Sequence, residues 1–168
     1  MKKTLYYLFP AFILFVFFLS LNKENQYDTK ALIGEKIINF EINSLEGKNK
    51  IINNDLAENN YTLINFWASW CGPCRKEHKY LLLLEKNAKL KILGINFKDN
   101  RKNALKFLKT LNNPYSYIGT DIDGKISVDF GVYGIPESIL INKKQVVIKK
   151  FIGPLNQKNY REILKTIK

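Results

Sequence analysis

Metal-binding side chains are scarce in this chain of 168 residues, which has two cysteines and one histidine. Cys71, Cys74 and His78 spell C-x-x-C-x-x-x-H, but the fourth ligand of a closed zinc site is missing, so no metal is expected. Asp121-Ile122-Asp123-Gly124 opens like a calcium loop, yet Lys125 occupies the next ligand position and no glutamate stands twelfth; it reads as a turn. No internal repeat and no recognisable nucleic-acid module are found. Acids are outnumbered 15 to 27 by Lys and Arg, for a formal net charge of +12. The lysines are scattered along the chain, and no nucleic-acid partner is expected from them. Charged residues are 25% of the chain against 46% hydrophobic, a balance that excludes wholesale disorder and predicts one compact domain with a short appendage.

The appendage is N-terminal. Lys2 and Lys3 precede an uncharged apolar run from Leu5 to Leu21, interrupted only by Pro10 and Ser20. Seventeen helical residues reach roughly 25 Å, marginal for a bilayer core of about 30 Å. The run ends Val16-Phe17-Phe18-Leu19-Ser20-Leu21, with bulky side chains where a signal-peptidase site needs small ones. Residues 1–21 are therefore expected to remain as a single signal-anchor, with Lys2 and Lys3 cytoplasmic and the rest outside. Residues 22–32 are polar and read as a linker, and 33–168 as the folded domain. In such a compartment two cysteines could form a structural disulfide. A Cys71–Cys74 bridge closes so small a loop that it constrains the unfolded chain little, and it reads as a bond made to be opened.

Ile38 to Ile42 alternates apolar and polar residues, and Lys50-Ile51-Ile52 follows after Glu46-Gly47, predicting a hairpin. Asp55 is expected to cap a short helix. Thr62 to Ala68 is β-rich and nearly continuous in apolar character, the mark of a central strand covered on both faces. A helix is predicted from Cys74 to about Ala88, with Leu81, Leu83, Leu84 and Ala88 inward, then a strand over Leu90–Asn96. Asn100–Leu111 reads as an amphipathic helix with Ala104, Leu105, Leu108 and Leu111 on its core face, stopped by Asn113-Pro114. A short strand at Tyr115–Gly119, a short helix at Lys125–Phe130, strands at Ser138–Asn142 and Val146–Ile152, and a closing helix at Gln157–Ile167 complete the order. Strands alternating with helices, then a final hairpin, predict an α/β fold with a mixed sheet.

Trp67-Ala68-Ser69-Trp70-Cys71-Gly72-Pro73-Cys74 lies where the central strand meets a helix. Unpaired N–H groups and the helix dipole at such a start stabilise a thiolate, which makes Cys71 the expected nucleophile. Cys74, one turn further in, is the shielded partner that resolves the mixed disulfide. Pro73 suits the first turn because it has no N–H to leave unsatisfied.

From about Ile33 to the C-terminus the chain resembles a thioredoxin-fold domain. Within that superfamily it is most similar to the membrane-anchored thiol:disulfide interchange proteins of cytochrome c maturation, the CcmG/DsbE type. The resemblance is carried by 65–71 (Asn-Phe-Trp-Ala-Ser-Trp-Cys), 74–78 (Cys-Arg-Lys-Glu-His), 94–99 (Gly-Ile-Asn-Phe-Lys-Asp), 113–115 (Asn-Pro-Tyr) and 131–138 (Gly-Val-Tyr-Gly-Ile-Pro-Glu-Ser). It implies a thioredoxin-like mixed sheet flanked by helices, with an N-terminal hairpin extension and one N-terminal membrane helix. It implies a cis bond before Pro136, with Ile135 offering main-chain hydrogen bonds to an extended substrate, and a substrate surface of Trp70, Gly72, Pro73, Tyr133, Ile135 and Pro136. Glu77 and Glu137 resemble the family's acids, expected to carry protons or tune the thiols, because Asn65 stands where thioredoxins usually place a buried Asp. No cofactor beyond the Cys71–Cys74 dithiol is implied. The implied partners are an apocytochrome c or maturation-component disulfide and a membrane thiol carrier as electron donor. The implied location is the bacterial inner membrane, single-pass, with the domain in the periplasm. A general exported thiol reductase is the competing reading. A copper-binding assembly factor is a further one, although those factors resemble C-x-x-x-C with a later histidine.

Overall fold

The computed structural model describes residues 10, 12–13, 15–17, 32–47 and 49–168. The expected anchor (1–21) and linker (22–32) fall largely outside them, and among the described residues no helix is long and apolar enough to cross a membrane. The elements are β1 (Glu41–Ser44), β2 (Lys50–Ile52), α1 (Asn53–Leu56), β3 (Tyr61–Trp67), α2 (Gly72–Leu84), β4 (Leu90–Phe97), α3 (Arg101–Leu111), β5 (Tyr117–Asp121), α4 (Lys125–Asp129), β6 (Glu137–Asn142), β7 (Val147–Ile152) and α5 (Gln157–Thr166). They form one seven-stranded mixed sheet in the order β2-β1-β5-β4-β3-β6-β7. β3, β4 and β5 run parallel, and the β1–β2 hairpin and the β6–β7 hairpin extend the sheet antiparallel on either side. The predicted hairpin extension is thus part of the main sheet, joined through β1 to β5.

Both faces of β3 are covered, as its continuous apolar pattern requires. Leu63 and Trp67 pack with Leu81 and Leu84 of α2, Ala104 and Phe107 of α3, and Ile163 of α5. Ile64 and Phe66 point the other way, into a second core with Phe40, Leu56, Phe130 and Val132. The redox helix and the loop before β6 therefore approach the end of β3 from opposite layers.

Several boundaries differ from expectation. The first strand starts at Glu41, because the residues before it bond outside the sheet ladder, the Ile37 N–H to the Gln145 carbonyl and the Phe40 N–H to Asn53 Oδ1. The helix expected from Cys74 begins at Gly72 and ends at Leu84, where Asn87 takes up a turn with its Oδ1 accepting the Lys89 N–H. Ala88, beyond the helix, faces solvent, as does Leu83, which lies off the stripe of Cys74, Glu77, Leu81 and Leu84. On α3, Phe107 takes the inward position expected of Leu105, since 104, 107 and 108 share a stripe that 105 leaves. The strand expected at Tyr115–Gly119 runs from Tyr117 to Asp121. Asp55 sits at the third position of α1 and not at its cap, its carboxylate accepting the N–H of Ile52.

Candidate active site

Cys71 is the residue that caps α2. Its backbone is extended and its Sγ accepts the N–H of Cys74 at 3.1 Å, so one of the helix's unpaired donors is aimed at this sulfur. Cys71 and Cys74 are joined as a disulfide with their Cα atoms 5.3 Å apart. The two cysteines are 4% and 2% exposed, so the oxidised form shields both and the expected contrast in exposure is slight. What separates them is position: Cys71 stands at the helix end and Cys74 on its buried face. Gly72 and Pro73 fill the first helical positions, both exposed.

Across from Cys71, the Ile135–Pro136 bond is cis and the Ile135 carbonyl oxygen lies 3.8 Å from Cys71 Sγ. Trp70, next to Cys71 in the chain, is 59% exposed, and Tyr133, in the loop that leads to Ile135, is 69% exposed. The Trp70 indole N–H donates to the Lys98 carbonyl at 3.1 Å. Asp99 anchors the approach to the cysteines: its carboxylate accepts the Ser69 N–H at 2.6 Å, the Ser69 hydroxyl at 2.8 Å and the Asn96 amide at 3.0 Å. The structure thus sets Ile135, with its cis bond to Pro136, against Cys71, next to Trp70, Gly72 and Pro73 of the same turn.

Beneath the disulfide lies a buried polar network. Glu77 follows Cys74 by one helical turn and is 0% exposed. One carboxylate oxygen accepts the Asn65 amide at 2.8 Å, and the other accepts the Leu155 N–H at 2.7 Å. Asn65 also donates to the Ser138 hydroxyl at 3.0 Å and accepts the Tyr115 hydroxyl proton at 2.9 Å. Burial pushes the Glu77 carboxyl from 4.5 to about 7, the two hydrogen bonds opposing it only in part. Burial first, and the Glu77 charge second, hold the Tyr115 hydroxyl well above its ordinary value.

Glu137 is placed differently from the expectation that it sits beside the thiols. It lies opposite Phe66 on β3, in the layer away from Asn65 and Glu77, because alternate residues of a strand face opposite sides. Its Oε1 accepts the N–H groups of Tyr133 and Gly134 at 3.1 and 3.2 Å. Its Oε2 makes no aligned hydrogen bond and is compensated by the Lys150 ammonium at 3.1 Å. His78 Nε2 donates to the Asn112 carbonyl at 2.8 Å, and its ring stands edge-on to Phe107. Among the described residues no three His, Cys, Asp or Glu side chains gather as a metal site.

Reading the sequence alone missed Lys150, Tyr115, Ser138 and Asp99. Pairing β6 with β7 was legible, and it puts a lysine diagonal to Glu137 on one face. Tyr115 and Ser138 carry no such signal, since their partners are 50 and 73 residues away.

The model of the family described as Redoxin matches residues 21–165. A thiol:disulfide interchange protein CycY of Rhizobium leguminosarum bv. viciae is 48% identical over 101 residues, covering 60% of this chain and 54% of that protein. The thiol:disulfide interchange protein DsbE of Vibrio cholerae is 36% identical over 170 residues, covering 97% of this chain and 92% of that protein. In structure, a thiol:disulfide interchange protein from Bacteroides sp. superposes with a TM-score of 0.68 at 22% identity over 80% of this chain and 90% of that one, which shows the fold. A cysteine-capped helix facing a cis-proline on this sheet, with these relatives, places the chain in the Redoxin family, among the DsbE-type thiol:disulfide interchange proteins, as a thiol-disulfide oxidoreductase.

Proposed function

We propose that this chain reduces disulfides outside the cytoplasm, with the haem-attachment cysteines of an apocytochrome c, or of a maturation component that handles them, as its target. The observation that carries the reading is the helix-capping sulfur of Cys71 facing the Ile135 carbonyl, with the buried Glu77 carboxyl one turn below Cys74. In the reduced enzyme the Cys71 thiolate attacks one sulfur of the partner disulfide. That S–S bond breaks, a mixed disulfide forms, and the partner's other sulfur leaves as a thiolate. The Cys74 thiol gives its proton to the Glu77 carboxylate and attacks Cys71 Sγ, releasing the partner's second thiolate and closing the Cys71–Cys74 bond. Two electrons have passed to the partner, and a membrane thiol carrier restores the dithiol. A partner strand docks along Ile135, with Trp70, Gly72, Pro73 and Tyr133 around it. An anchor at residues 1–21 holds the domain at the periplasmic face of the inner membrane.

The test is reduction of an oxidised peptide containing Cys-x-x-Cys-His. Cys71→Ser should abolish turnover, whereas Cys74→Ser should accumulate a mixed disulfide through Cys71. Trapping through residue 74 in a Cys71→Ser chain would reverse the assignment. Equal rates on this peptide and on one with unrelated cysteine spacing would favour a general exported reductase.

A further inference from the structure

Lys150 is a buried lysine in the middle of β7, and its side chain is 1% exposed. In the sheet register Lys150 stands opposite Ile139 and Ile152 opposite Glu137, so Lys150 and Glu137 are diagonal neighbours on one face. The ammonium lies 3.1 Å from Glu137 Oε2, donates to the Gly131 carbonyl at 2.6 Å and sits 6.0 Å from the centre of the Tyr133 ring. Glu137 in turn takes the N–H groups of Tyr133 and Gly134. One ion pair therefore grips the 131–136 loop at both ends: Lys150 holds its first carbonyl, and Glu137 holds the two amides just before Ile135. Gly131 enters the loop at φ +62, having closed α4 with an N–H to the Val128 carbonyl.

Buried ion pairs contribute little net stability, because desolvating two charges offsets most of their attraction. A pair of apolar residues would fill this core at least as well. What the charges add is a set of directional contacts to three main-chain groups of a single loop. That loop ends at the carbonyl facing Cys71 Sγ.

We infer that Lys150, through its ion pair with Glu137, is a positioning residue for substrate: it fixes the 131–136 loop so that Ile135 and Tyr133 meet an extended peptide in register with Cys71. The inference rests on the peptide-disulfide reading above, since only a partner with an extended backbone uses this edge. Oxidised glutathione reaches the sulfur without spanning the loop, and it serves as the internal reference.

The full chain is compared with Lys150→Met/Glu137→Gln, which removes both charges and leaves none unpaired, and with Lys150→Arg, which keeps the cation. The substrates are oxidised glutathione and two oxidised peptides, one with Cys-x-x-Cys-His and one with unrelated spacing. Near-UV circular dichroism and thermal melting establish that each variant is folded. The double variant should lose about tenfold more kcat/KM on either peptide than on glutathione, chiefly through KM, because a loop displaced by about 1 Å misaligns the docked strand. Lys150→Arg should recover most of that difference, its guanidinium reaching the same carboxylate and carbonyl. Peptide and glutathione rates that fall together in a folded double variant overturn the inference, as does an unchanged peptide KM. The wild-type ratio between the two peptides tests the haem-motif preference separately, so the substrate reading can fail while the Lys150 comparison stands.

Discussion

Glu77 follows Cys74 by three positions, a helical spacing that puts both on the buried face of α2. Its carboxyl is raised from 4.5 to about 7, so between those values the folded chain holds a proton that the unfolded chain has released. The stability linked to this group is fully present below 4.5 and is lost as pH rises toward 7. Over that window the loss amounts to about 3 kcal/mol. Urea unfolding of the oxidised chain at pH 4.5 and 7.5 should show that decline, and Glu77→Gln should flatten it; an equal decline in the variant would assign the dependence elsewhere. The glutamine leaves an amide facing the Leu155 N–H or the Asn65 amide, so it also loses one accepting contact. In turnover the same variant should lengthen the life of the mixed disulfide by about 10²-fold at neutral pH, the usual magnitude for a lost general base. Single-turnover quenching of the peptide reaction reads that lifetime. Asn65 cannot ionise, and its part is to orient Glu77, Tyr115 and Ser138 about one buried point.

At the element scale, β3 and α2 make the site between them. The strand's apolar run buries it centrally, and the turn 68–71 leaves Cys71 as the cap of the following helix. The adjoining strand β4 contributes a close approach: a Cβ on Gly94 would come within 2.8 Å of the Tyr115 ring and 2.9 Å of Trp67 Nε1. Those rings stack on one another at 5.4 Å, in the layer that also carries the Asn65–Glu77 network. Gly94→Ala should cost about 1–3 kcal/mol through overpacking. Since the displaced Tyr115 hydroxyl is bonded to Asn65, the variant should also alter the pH profile of turnover, while a distal overpacking control should lower stability alone. Denaturant midpoints and pH–rate curves for the two together check this. Element type and order were legible here because periodicity reports on which face is buried. Element ends were not: α2 stops at Leu84 through a side-chain turn at Asn87 that no periodic pattern encodes.

For the whole molecule, the sheet brings Asn65 of β3, Glu77 of α2, Ser138 of β6 and Tyr115 into one buried network against the redox helix, while the membrane association expected of residues 1–21 is a property of the N-terminus alone. The full chain should stay with the membrane pellet through alkaline carbonate extraction, and its N-terminal sequence should begin at Met1 or Lys2. A start near Asn22, with release into the supernatant, would show a cleaved signal in place of an anchor.

The sequence by itself determined the redox pair, the strand-to-helix setting of Cys71 and the alternation of strands and helices. Each of these is local, set by spacing along a helix or strand or by a contiguous motif. Tertiary structure decided which acid lies in the layer of the redox helix. Glu77 and Glu137 both lie beside recognisable motif residues. The pleat of β6 turns Glu137 into the far layer, onto Lys150 and the loop amides, while the turn of α2 carries Glu77 under Cys74. It also raised the Glu77 carboxyl, because packing from strands and helices distant in the chain has removed its water.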